Sequence, residues 1–463
     1  MARDMTEGSP YRHILTFAGP MLVGNVFQQL YNVVDTLVVG RYVSSNALAA
    51  IGTATPIMFL CISLFGGLGM GITVVISQYF GAKDYTNLKR ALSTAIYMMI
   101  VLTLLITVVG LAITRPLLNL MQAPPEIIDD AATYLYIIFG GIVFMMIYNA
   151  YVSILRGIGD SFTPMIFLIV ATGINIVLDL LFVIRYDMGV AGVAIATVIA
   201  QGFSGIACYV YVKFKVPMLK IEREHRVFDK DLLRIMMRMG IPSALQMSFI
   251  SVSQIAVQSL VNGYGTIVMA GYTSATKIDN FAMQPSMSIG NALGVFVGQN
   301  VGAGKMDRAE EGFKSTFVME WVIGIFMSVM AFLFAPQLIG LFNTGADSAA
   351  IIEVGSQYLR VVGMFYVVLG TMYVFQNLSR GAGDMNMVLL TSVCNFTVRV
   401  IGAYGLAAVP WIGQEGIWWA IPIGWFVADI VGFYAYRSGR WKRFAVTKAG
   451  ARAEDPDLLS TDM

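Results

Sequence analysis

Long apolar runs recur along this chain so regularly that few folds remain open to it. A helix needs roughly 20 apolar residues to cross a bilayer, and only helices or closed barrels satisfy every backbone polar group there. Runs of that length cover about 14–40, 47–80, 91–114, 127–155, 162–185, 190–212, 232–262, 266–300, 311–335, 349–377, 385–409 and 413–436. The expectation is an all-α polytopic membrane protein with twelve transmembrane helices. The first 13 residues are polar, and the run after them is far longer than a signal-peptide core, so the first helix is expected to be retained.

Only 13% of the residues are charged, against about 25% in soluble domains, and their placement is informative. If both termini are cytoplasmic, 24 of the 30 Lys and Arg fall inside, 3 fall outside (Arg41, Arg115, Arg185) and 3 lie within spans (Lys277, Arg360, Arg399). That asymmetry is what the positive-inside rule requires of a multi-pass protein with cytoplasmic ends. Polar termini fit a bacterial inner membrane.

The same inventory excludes several functions. A net charge of +2 gives no basis for binding nucleic acid. His13, His225, Cys61, Cys208 and Cys394 stand apart, without metal-ligand or redox spacing. With no nucleophile or metal constellation in the spans, the chain does not read as an enzyme, and no cofactor is implied.

Two halves of the chain repeat. "LRGIGDSFTP" (Leu155–Pro164) matches "LSRGAGDMNM" (Leu378–Met387) through R-G-x-G-D, and "QYFGAKD" (Gln78–Asp84) matches "QNVGAGK" (Gln299–Lys305). Pro20 lies opposite Pro242, and Tyr134-Leu135 opposite Tyr358-Leu359, all at offsets between 220 and 224. Six spans per half give both halves one orientation, as in parallel-repeat transporters. The expected organisation is an amino-terminal six-helix lobe (1–212), a basic cytoplasmic linker (213–231), a carboxy-terminal six-helix lobe (232–437) and a cytoplasmic tail (438–463). The R-G-x-G-D loops read as tight turns, since no strand-to-helix context makes them phosphate-binding.

Against this apolar background the polar residues stand out. Asp35 sits within "QLYNVVDTLVVGRY", on a helix face shared with Asn25, Gln28, Asn32 and Thr36. A carboxylate in a membrane costs about 2.5–3.5 kcal/mol on insertion scales, so it needs a partner or a task. In the fifth span Thr172, Asn175 and Asp179 share a face, as do Thr197, Gln201 and Ser204 in the sixth. These faces avoid a penalty by pointing at one another or at water. Their oxygens suit Na⁺, and a proton on one carboxyl would serve as well. In the second half lie Gln246, Lys277, Asp279, Arg399 and Asp429, whose charges are expected to neutralise one another or to line a cavity. Met58, Tyr148, Tyr151, Met283, Met287 and Tyr373 are candidate wall residues for a cavity that accepts varied amphipathic compounds. Pro20 and Pro242 are placed to kink the first span of each lobe.

"LYNVVDTLVVGR", "INIVLDLLFV", the Q-x-x-G-A segments and the paired R-G-x-G-D loops together resemble the multidrug and toxic compound extrusion (MATE) family over nearly the whole chain. The resemblance implies two pseudo-symmetric six-helix lobes forming a V. It implies alternating-access export of amphipathic organic, often cationic, compounds by antiport with Na⁺ or H⁺. In members with an amino-terminal-lobe cation site, the matching positions here are Asp35, Asn175, Asp179 and Thr197, with Asp35 and Asp179 as the Na⁺ ligands if Na⁺ is used. Some members place acids in the seventh and tenth spans; here the seventh offers Gln246, Gln254 and Gln258 and the tenth only Glu353 near its outer end, which speaks against a second-lobe cation site of that kind. A two-lobed transporter of this size can work as a monomer. The alternative left open is a flippase for lipid-linked saccharide or peptidoglycan precursors, which requires a cationic central cavity. A channel accounts for polar faces in the membrane but not for two repeated lobes.

Overall fold

The computed structural model describes residues 2–343 and 347–447, in which regular structure is helical and no strand forms. The long helices are α1 (Pro10–Tyr42), α2 (Ser45–Gly81), α3 (Tyr85–Leu120), α4 (Pro125–Gly157), α5 (Phe162–Leu180) and α6 (Gly189–Lys215). They continue as α7 (Lys230–Asn262), α8 (Thr266–Gly302), α9 (Met306–Gly340), α10 (Ser348–Gly363), α11 (Tyr366–Ala382), α12 (Met385–Ala407) and α13 (Glu415–Arg437). Among the described residues, nine of these are apolar and long enough to cross a bilayer, and α10 with α11 makes a tenth crossing. The polar faces of α1 and α8 leave them outside that group, although they run for 33 and 37 residues.

The tenth run, expected as one helix over 349–377, is broken, and α10 meets α11 at an angle of 49°. No proline marks this break. Gly363 ends α10 where a Cβ would lie 2.7 Å from that of Ala331, so close packing with α9 occupies the corner. Pro20 and Pro242 instead sit inside the unbroken α1 and α7.

The R-G-x-G-D repeats have a physical explanation. Gly159 (φ +83°) and Gly383 (φ +100°) take the left-handed conformation that closes a helix without a Cβ clash. Asp160 then accepts the Thr163 N–H at 3.0 Å and its hydroxyl at 2.7 Å, while Asp384 accepts the Met387 N–H at 3.2 Å. Each loop thus stops one helix and caps the next. The preceding glycine serves packing: a Cβ on Gly381 would lie 2.3 Å from the Gly294 carbonyl oxygen.

The chain forms two compact units. One holds Pro20–Ala244 with the residues up to Asp4; the other holds Met5–Gly19 with the chain from Leu245 onward. The borders therefore fall within α1 and α7, beside their prolines. The segment expected as linker forms two 3-10 turns, Pro217–Leu219 and Arg223–His225, which pack on α3 within the first unit. In that unit α4 is central, packing against α2, α3 and α6, and α5 lies on α6. Glycines at 67 and 71 of α2 admit the first half of α7, since a Cβ on Gly67 would lie 2.3 Å from the Ala244 nitrogen. In the second unit α8 packs on α9, α10 and α11, and α12 on α13. There Tyr272 stacks on Trp418 (5.6 Å, 11°), with Tyr358 edge-on to both. Leu104, Val108, Val322 and Ile325 are exposed on α3 and α9, as lipid-facing positions should be.

Candidate functional site

Within the first unit, α1 and α5 bring Asp35 and Asp179 into direct electrostatic contact. The helical spacing of Asn175 and Asp179 places both on the buried face of α5, where each is fully inaccessible. Immediately after Asp179, the helix widens into a π-helical turn, Leu181–Arg185, an irregularity common at functional sites. Thr197 of α6 completes the group, its hydroxyl 3.1 Å from that of Tyr31.

What distinguishes this cluster is unmet hydrogen bonding. Asp35 Oδ1, both Asp179 carboxylate oxygens, both polar atoms of the Asn175 amide and Gln201 Oε1 are buried without a partner. Buried polar groups in native proteins are overwhelmingly paired, so several orphans in one place point to a missing ligand or water. Neither acid has an ion-pair partner among the described residues. The oxygen-rich donor set fits a hard monovalent cation, and it fits a proton shared between the acids. The Thr172 hydroxyl donates to Leu168 O at 2.9 Å and the Ser204 hydroxyl to Phe167 O at 3.4 Å, which leaves the lone pairs of each oxygen able to accept. Gln28 is half-buried on α1, and the side chain of Asn32 lies outside the described residues.

Two tyrosines escaped the sequence reading. Tyr31 bonds Thr197, and Tyr134 of α4 lies within electrostatic reach of both carboxylates. The Tyr-Leu pair shared by the two halves was the available signal for Tyr134, whose counterpart Tyr358 also attends a carboxylate.

That carboxylate is Asp279, in the second unit. A cavity of about 600 Å³ opens there between α7, α8, α10, α11, α12 and α13, with Asp279, Arg399, Met283 and Tyr373 on its wall. Of the four charges expected to neutralise one another or to line a cavity, Asp279 and Arg399 share one wall within electrostatic reach but form no direct ion pair. Asp279 takes hydroxyl donors from Tyr358 (3.1 Å) and Tyr366 (2.6 Å), and makes no ion pair with Arg399. Lys277 lies over the Phe342 ring at 5.6 Å, outside this cavity, and Asp429 Oδ1 has no partner. Two tyrosine hydroxyls instead give the Asp279 carboxylate one charge-assisted hydrogen bond on each oxygen. Gln246, at the cavity's end, accepts from Arg380 at 3.0 Å and donates to Gln376 at 3.4 Å.

Of the other wall candidates, Tyr151 packs edge-on against Tyr209, Met58 and Tyr148 are half-buried, and Met287 is exposed. Glu320 of α9 was not anticipated: it is fully buried beside Ser286 of α8, with Thr316, also buried, one turn before it. Away from the spans, Glu222, Glu224 and His225 gather within 4.8 Å, a cluster whose two acids are exposed to solvent.

Comparison with known proteins draws these features together. The MatE family profile matches residues 20–181 and 242–405. The chain is 30% identical over 442 residues to the probable multidrug resistance protein YpnP of Bacillus subtilis, covering 95% of this chain and 98% of that one. It is 24% identical over 444 residues to the multidrug export protein MepA of Staphylococcus haemolyticus, covering 96% of each. Among solved structures, an outward-facing multidrug resistance MATE family transporter of the MOP superfamily aligns with a TM-score of 0.89 at 26% identity, over 95% of this chain and 98% of that one. A MOP superfamily transporter from Pyrococcus furiosus, described with a binding pocket of reverse polarity that suggests a different function, aligns with a TM-score of 0.88 at 25% identity, over 96% and 98%.

Proposed function

The chain belongs to the MatE family of multidrug efflux transporters, and from that membership we propose that it is a secondary antiporter coupled through Asp35 and Asp179. As a family member it is a multi-pass membrane transporter that requires no cofactor and is not an enzyme. In the proposed cycle, Na⁺ or H⁺ binds among Asp35, Asn175, Asp179 and Thr197, and its binding favours release of an amphipathic organic compound, cationic ones included, on the far side. Coupling requires that ion and compound prefer different conformations of the protein. The proposed setting is a bacterial inner membrane with both termini cytoplasmic and the protein acting as a monomer.

The observation that carries this reading is the concentration of unpartnered buried atoms around two carboxylates, with no base paired to either among the described residues. A bound cation offsets the burial of both acids and gives their oxygens, and the Asn175 amide oxygen, a partner.

Efflux of a fluorescent organic cation from proteoliposomes tests the proposal, first under an imposed Na⁺ gradient and then under an imposed pH gradient. Transport should follow one gradient and vanish in Asp35→Asn and Asp179→Asn. An active Asp35→Asn protein removes Asp35 from the coupling role. No flux under either gradient, with folded parent protein, overturns the antiport reading.

A further inference from the structure

The second unit holds an arginine on a cavity wall that makes no direct ion pair with the acid on the same wall. Arg399 of α12 reaches the wall of the 600 Å³ cavity, and its Nε is buried with no hydrogen-bond partner. The only carboxylate on that wall among the described residues, Asp279, is already engaged by Tyr358 and Tyr366, so it does not close on the guanidinium. The hydroxyl of Tyr272 lies beside Arg399, and that ring is fixed by stacking on Trp418. Asn395, one turn earlier on α12, has a buried, unpartnered Oδ1. Phe396 and Trp425 supply an apolar wall nearby.

We propose that this cavity binds an amphipathic compound through a carboxylate seated on Arg399, with its apolar ring system held against the aromatic wall. A guanidinium stays charged at any working pH and presents five N–H donors in a fork that matches a carboxylate. Within a membrane, an ionisable side chain is a functional candidate by default, and this one has only the Tyr272 hydroxyl within hydrogen-bond reach and makes no ion pair among the described residues. The cavity has the volume of a site for a drug-sized ligand, and its mixture of aromatic, methionine and amide walls suits a flat organic body. Asp279 sets the selectivity indirectly: held by two tyrosines, it lends the cavity some negative field without neutralising Arg399. The favoured ligands are therefore zwitterionic, with a cationic ring and a free carboxylate, rather than simple cations. This deepens the antiport reading and rests on it for transport, whereas the binding itself requires no ion gradient.

The test uses a matched pair of dyes, rhodamine B with its free carboxylate and rhodamine B methyl ester, which keeps the cationic ring and lacks the anion. Binding to the purified full-length protein is read by fluorescence anisotropy. The parent should bind the acid at least about tenfold more tightly than the ester, the scale of one charge-assisted hydrogen-bonded pair. Arg399→Gln should erase that preference, chiefly by weakening binding of the acid, and Arg399→Lys should retain part of it. Equal binding of acid and ester by the parent overturns the proposal without reference to any variant, so a misfolded Arg399→Gln protein does not shelter it. An acid preference that survives Arg399→Gln overturns it as well. Arg399-dependent binding of a short-chain phosphatidic acid, with none of rhodamine B, replaces the carboxylate compound with a lipid phosphate. Loss of gradient-driven flux in the parent with the dye preference intact counts against the antiport reading alone.

Discussion

Tyr366, the first residue of α11, donates its hydroxyl to Asp279 Oδ1 across 2.6 Å. The break between α10 and α11 puts it there, and Tyr358 reaches the other oxygen from the α10 side of the same break. The bend is thus a device that brings two hydroxyls from opposite sides of a corner onto one buried acid.

Removing one of them has two expected effects. Tyr366→Phe deletes a hydrogen bond to a charged group, worth about 1.5–3 kcal/mol, and should lower the thermal unfolding midpoint in detergent. It also frees one oxygen of Asp279 to turn toward Arg399, so the preference for rhodamine B over its ester should shrink. An unchanged midpoint and an unchanged preference would show that the hydroxyl contributes to neither.

Ion binding in the first unit should appear as stability. A ligand that binds only the folded state at about 100 times its Kd adds about 2.7 kcal/mol. The coupling ion should therefore raise the parent's unfolding midpoint, and Asp35→Asn should remove that response. Because the substitution also relieves repulsion between neighbouring acids, the variant without ion should be at least as stable as the parent without ion. A variant that still responds to the ion places the binding site elsewhere.

Thr197 and Tyr31 offer a finer probe. Thr197→Ala removes a potential oxygen ligand together with the partner of the Tyr31 hydroxyl, whereas Tyr31→Phe removes only the partner. If the threonine oxygen serves the ion, Thr197→Ala should weaken ion affinity several-fold more than Tyr31→Phe does. Equal losses, measured by ion titration of the unfolding midpoint, would reduce Thr197 to a structural role.

The loop capping α12 is testable by stability alone. Asp384→Ala removes the Met387 cap and the 2.9 Å bond from Arg440 Nε, a loss of about 1–3 kcal/mol. Gly381→Ala should cost more, because its new methyl meets backbone rather than a movable side chain. The reverse order of the two midpoints would contradict the packing account of that glycine.

Much of the first-unit cluster was legible because membranes make polarity conspicuous. Asn175 and Asp179 stand in an apolar run one helical turn apart, and that spacing by itself fixes a shared helix face. Arg399 was legible as a charge, but its lack of a direct ion pair was not, since that depended on which hydroxyls reach Asp279 from a bent span. The bend left no proline in the sequence, only Gly363 at its corner, where α10 packs closely against Ala331 of α9. Glu320 eluded pattern reading because its polar neighbour one turn away, Thr316, is a hydroxyl that its own helix satisfies, so no polar face stood out. The borders of the two units, within α1 and α7, follow from long-range packing that hydropathy does not encode.

Those borders bear on how the protein is made. Neither unit is a contiguous stretch of chain, because residues 5–19 belong with the chain beyond Leu245, and the first unit is not complete until Ala244 has been synthesised. A ribosome that has inserted only six helices has therefore produced no finished unit. The first half of α1 must wait, already in place, for packing partners that emerge hundreds of residues later, so assembly of the second unit is tied to the oldest part of the chain.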